Sequence, residues 1–111
     1  MSAPDRRLGL LGLGRRAGTV VVGVAGVRAR LQADGLACVV VAADAGTRTR
    51  EKVERLAVAR GVPVLVGPPA DRLGAALGSP PVQAVGVSEY GMLATLSTAR
   101  VDTLSRTWTP M

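Results

Sequence analysis

Histidine and phenylalanine are absent, and cysteine, tyrosine and tryptophan occur once each. Each absence removes a class of function. Without histidine there is no imidazole to serve as a general acid or base. Cys38 alone forms no intramolecular disulfide, and without histidine it builds no Cys/His metal cluster. Tyr90 and Trp108 are too few to form a platform on which single-stranded bases stack. No apolar run approaches the roughly 20 residues of a membrane span. Arg6 and Arg7 are followed by glycines and Arg15-Arg16, which does not read as a secretory signal. The carboxylates Asp44, Glu89 and Asp102 are scattered, and Ser88 and Ser97 lack a histidine partner. A lone Asp after a strand reads as a turn or cap residue. The expectation is a cytoplasmic, non-enzymatic protein without membrane, metal or cofactor.

What is present suits one compact domain. The chain has 111 residues, 48% of them hydrophobic and drawn mainly from Val, Ala and Leu, which supports a buried core. Fourteen basic residues against eight acidic ones give +6, and all the basic residues but Lys52 are arginine. The planar guanidinium fork suits phosphate, so a polyanionic partner is expected.

Helical and strand patterns alternate along the chain. Ser2-Ala3-Pro4-Asp5 reads as a helix start, with Leu8, Leu11 and Arg15 at helical spacing and Gly18 as the stop. The interior glycines Gly9, Gly12 and Gly14 disfavour a helix by up to about 1 kcal/mol each unless something packs closely against them. Thr19–Val22 is a strand, and Gly23 opens a helix to about Gln32 with Val24, Val27 and Leu31 on one face. "LACVVVAAD", Leu36 to Asp44, is an apolar run typical of a central strand covered on both faces, with Cys38 as a small buried hydrophobe. Thr47 or Thr49 can cap a helix over about 48–60, with Val53, Leu56 and Ala57 as its inner stripe. Val62–Val66 is the next strand. Pro68 and Pro69 start a helix closed by Gly78, and Val82–Val87 forms another strand after the Ser79-Pro80-Pro81 turn. A last helix carries Tyr90, Leu93 and Ala94, and a loosely ordered tail spans 99–111. Residues 1–98 thus form a single α/β domain, a sheet between helix layers.

Gly12-Leu13-Gly14-Arg15-Arg16-Ala17 matches the G-x-G-x-x-A string of dinucleotide-binding loops. That fingerprint must follow a strand and open a helix, so that pyrophosphate meets the helix N-terminus. Here the glycines end a helix and a strand follows. The string therefore reads as a helix end that delivers Arg15 and Arg16 to the surface beside Thr19.

"LLGLGRRAGTVVVG" (Leu10–Gly23) resembles the opening of the kink-turn RNA-binding ribosomal-protein family, especially its bacterial YlxQ-like members. "VVVAADA" (Val39–Ala45) is similar to that family's central strand and its acidic end. "RGVPVLV" (Arg60–Val66), "DRLGAALG" (Asp71–Gly78) and "VGVSEYGMLATL" (Val85–Leu96) resemble later segments in the same order. The resemblance spans about residues 6–97. It implies a three-layer α/β/α sandwich with a mixed sheet of about four strands. It also implies binding of structured RNA, ribosomal RNA in the first place, with ribosomal or translation proteins as further partners.

By this resemblance RNA meets one end of the sheet, at the Gly23 junction, the loop after Asp44 and the loop before Val82. The expected contacts are Arg15, Arg16, Thr19, Gly23, Val24, Ala25, Gly26, Arg28, Gly46, Val82 and Gln83. The Gly23 junction would offer unpaired amides and a helix dipole to phosphate, with Arg16 and Arg28 nearby. The family motif reads Gly-x-Asn-Glu-x-x-Lys. This chain keeps the Gly at Gly23 but has Ala25, Gly26 and Ala29 where the Asn, Glu and Lys stand. Loss of those base-reading groups motivates an alternative, a protein–protein interaction module on the same fold. An apolar patch at Val24, Ala25 and Val27 would favour it.

Overall fold

The structure, a computed structural model, describes residues 6–88. The expected Ser2 helix start, the last helix with Tyr90, Leu93 and Ala94, and the 99–111 tail lie outside the described residues. The elements alternate as α1 (Arg6–Ala17), β1 (Val20–Val22), α2 (Val24–Gln32), β2 (Cys38–Val41), α3 (Thr47–Ala59), β3 (Val64–Val66), α4 (Ala70–Ala76) and β4 (Ala84–Val87).

The four strands form one mixed sheet in the order β1-β4-β2-β3. β4 is antiparallel to both neighbours, with Val20 opposite Val87 and Val41 opposite Ala84. β2 and β3 run parallel, with Val39 opposite Val64. The period-2 alternation of strand side chains then divides the core. Cys38 and Val40 pack with Leu11, Leu73 and Leu77 on the α1/α4 face. Val39 and Val41 pack with Val27, Leu31, Val53 and Ala57 on the α2/α3 face. Every residue of β2 is fully buried, which is the outcome its unbroken apolar run anticipates.

The strands are shorter than their apolar runs. Leu36, Ala37 and Ala42 are buried yet lie outside the β2 ladder, and β3 and β4 begin at Val64 and Ala84 rather than Val62 and Val82. Burial makes a run apolar, whereas pairing needs a neighbour in register. The expected Thr47 or Thr49 cap is also corrected. Gly46 is the N-cap of α3, without a side-chain cap bond. Gly18 does end α1, at φ +80°. The glycines of α1 serve different ends. A Cβ at Gly12 would sit 2.7 Å from the Ala76 carbonyl oxygen of α4, whereas one at Gly9 would meet nothing within 4 Å.

Burial pushes the Cys38 thiol up to about 12. Its sulfur therefore stays protonated and unreactive in the folded chain. A thiol reagent at pH 8 is expected to leave the native protein unlabelled and to modify Cys38 fully in denaturant. The unfolded thiol ionises near 8.5. Above that pH ionisation stabilises the unfolded state, so stability falls as pH rises, by about 1.5 kcal/mol between pH 8.5 and 10. Cys38→Ala should flatten this alkaline limb in pH-dependent denaturant melts. An equally steep limb in the variant would trace the loss to other groups.

Candidate nucleic-acid interface

Strand polarity decides what gathers at each end of the sheet. β1, β2 and β3 all leave the sheet at the end where Val22 lies opposite Val85, Val41 opposite Ala84 and Val66 beside Val41. α2, α3 and α4 begin directly after those strands, so three helix N-termini, with their positive dipole ends, share that end. The Pro80–Gln83 segment enters β4 from the same side.

One of these N-termini is satisfied from within the protein. Asp44, just past β2, accepts a hydrogen bond from the Ala70 amide at 2.8 Å, and Asp71 adds a carboxylate to the first turn of α4. Asp44 is thus a cap residue, as its place after a strand suggests, though for a helix 26 residues away.

The other two are open. The N-caps of α2 and α3 are Gly23 and Gly46, neither helix has a side-chain cap bond, and neither has an acid in its first turn. Intrahelical bonding begins with the Val27 amide to the Gly23 carbonyl at 3.0 Å and the Arg50 amide to the Gly46 carbonyl at 2.9 Å. The amides of Val24–Gly26 and of Thr47–Thr49 therefore have no intrahelical acceptor. The Gly23 amide itself is not among the open ones. It donates to the Ala84 carbonyl at 2.9 Å and ties the start of α2 to β4. Gly23 itself has φ +97° and ψ 155°, a backbone region that is essentially glycine's alone.

The side chains at this end are few. Arg28, on the second turn of α2, and Arg48, on the first turn of α3, are exposed, and no ion pair among the described residues involves either. Arg50 is paired with Glu54 at 2.9 Å. Ala25, Gly46 and Gln83 are exposed, and Val24 and Gly26 are half-buried. Val82 is corrected to a core residue. It is 7% exposed, packs on the α1/α4 face, and donates its amide to the Ala70 carbonyl at 3.0 Å. Thr47 and Arg48 are not among the contacts expected from the sequence. Their signal was present, a polar Thr-Arg pair directly after a glycine that follows an apolar strand.

Arg15, Arg16 and Thr19 do not join this site. α1 ends where β1 begins, at the opposite end of the sheet, beside Val87 and Ser88. There the Arg15 guanidinium donates to the Leu77 carbonyl at the C-terminus of α4, where a cation opposes the negative dipole end. The Thr19 amide and hydroxyl both donate to the Gly14 carbonyl, at 2.8 and 3.1 Å. The Thr19 carbonyl in turn accepts from the Ser88 amide at 2.9 Å and the Ser88 hydroxyl at 3.1 Å. Thr19 is therefore a joint between α1, β1 and β4. Arg16 is exposed at the same end.

Comparison with curated proteins returns no match. Among solved structures, a protein of unknown function from Bacillus halodurans superposes with a TM-score of 0.76 at 29% identity, covering 80% of this chain and 90% of that one. The 15.5 kD RNA-binding protein of Giardia lamblia shares the fold, with a TM-score of 0.63 at 18% identity, 84% of this chain and 82% of that one being covered. Residues 7–97 match the ribosomal protein L7Ae/L30e/S12e/Gadd45 family, and the chain belongs to that family.

Proposed function

We propose that this protein is a non-catalytic, ribosome-associated RNA-binding protein of the cytoplasm that grips structured RNA at the sheet end where α2 and α3 begin. The observation that carries this reading is the pair of open helix N-termini flanked by Arg28 and Arg48. Unsatisfied amides and positive dipole ends favour phosphate, and arginine adds a charge-assisted fork. Family membership and the RNA-binding Giardia protein of the same fold support it. The protein-interaction alternative is less favoured, because Val27 is completely buried and does not join Val24 and Ala25 in an apolar patch where α2 starts.

The test is a titration of the intact chain against a folded ribosomal RNA fragment across a salt series. The expected result is binding at low salt that weakens steeply as salt rises, the mark of counterion release. Failure to bind at the lowest salt would overturn the proposal.

A further inference from the structure

The first turn of α2 carries no polar side chain that could read a base, and at position 26 the cause lies in β1. Gly26 packs against the middle residue of that strand. A Cβ at position 26 would sit 2.6 Å from Val21 Cγ1, closer than real Cβ atoms come. The encroaching atom belongs to a stiff, β-branched side chain on a strand paired with β4, so it does not swing aside like the tip of a lysine. While Val21 stays, position 26 is held to glycine, and the first turn of α2 presents only Val24, Ala25 and Gly26. Elsewhere at this end the loops are mostly Ala, Gly and Pro, and the Asp44 carboxylate is engaged by the Ala70 amide. Among the described residues there, Gln83, Thr47 and the half-buried Thr49 are the uncharged polar side chains left to address a base edge.

Sequence is read in nucleic acids by side-chain donors and acceptors on base edges, whereas phosphate contacts set position without reading sequence. We infer that this sheet end selects RNA by its backbone rather than its bases, and that Val21 is the positioning residue that keeps it so by denying position 26 a side chain. The inference rests on the RNA-binding reading above and narrows its ligand to the phosphate–sugar backbone of folded RNA.

The experiment compares a kink-turn RNA, a plain duplex of equal length and an unrelated folded RNA, each titrated with the intact chain across a salt series. Affinities are expected to agree within about threefold and to fall together as salt rises, as backbone contacts require. A kink-turn preference of about tenfold or more that persists at high salt would overturn the inference and leave the RNA reading standing, since base contacts are less salt-dependent. Absence of binding to all three would remove the RNA reading itself.

The part given to Val21 has its own arm. Ala25→Asn/Gly26→Glu is made in the parent and in a Val21→Ala background, with Val21→Ala alone as the folded control that binds like the parent. About tenfold selectivity for the kink-turn RNA is expected only where Val21 has been shortened. The same selectivity in both backgrounds, present or absent, would overturn the role assigned to Val21.

Discussion

Gly74→Ala is expected to remove about 3 kcal/mol or more of folding stability, among the largest effects of any single methyl group in the chain. Gly74 is buried within α4, and a Cβ there would lie 2.2 Å from the Pro80 carbonyl oxygen, 2.7 Å from its carbon and 2.9 Å from the Ser79 oxygen. All three are backbone atoms of the turn that returns the chain to β4. That turn cannot slide freely. The Ser79 amide is bonded to the Gly74 carbonyl at 2.9 Å, the Val82 amide to the Ala70 carbonyl at 3.0 Å, and Pro80 and Pro81 stiffen what lies between. Relief of the clash must break these bonds or push α4 off the Leu73–Leu77 core. A small domain holds only about 5–15 kcal/mol in total, so a loss of this size removes a large share of its stability. Denaturant melts of Gly74→Ala beside Gly9→Ala make the comparison internal. At Gly9 the added methyl meets nothing, and the helix should gain up to about 1 kcal/mol. Equal effects at the two positions would refute the packing argument.

Removal of Arg28 and Arg48 together should weaken RNA binding roughly sixtyfold at 0.1 M salt, about eightfold for each lost phosphate contact. The slope of log affinity against log salt should become shallower by about 2. Both side chains are exposed, so the double alanine variant should melt like the parent. Arg16→Ala is the informative control. It removes the same charge from the opposite end of the sheet, and the affinity should stay near that of the parent. A loss as large as that of the double variant would place the RNA surface at the wrong end.

That contrast also shows where the sequence stops being legible. The order of elements could be read because glycines and prolines punctuate it and because the two hydrophobic periods differ. Strand polarity could not be read, since periodicity carries no direction. Arg15 and Arg16 sit only a few residues from Gly23, and a three-residue strand between them is enough to carry them to opposite ends of the molecule. Val82 misled for a related reason. An apolar residue before a strand looks the same whether it faces a loop or the core, and here Val82 packs into the core while its amide donates a hydrogen bond to the Ala70 carbonyl. Val21 and Gly26 are five positions apart in the sequence, and their contact appears only when α2 folds back over β1.

The edges of the sheet carry a consequence for how copies of this chain behave toward one another. β1 and β3 are the outer strands, and each is three residues long, about 10 Å. Pro63 precedes β3 and Pro68-Pro69 follow it, while Gly18 and Gly23 bend the chain away on either side of β1. A neighbouring chain finds little straight, unpaired backbone to extend, although the sheet is built largely of valine. The segment with the makings of a fibril core, the uncharged Leu36–Ala42 run, is buried throughout in the folded molecule. Among the described residues, strand-to-strand association between copies is therefore governed by how often the molecule opens rather than by the sheet edges it shows when closed.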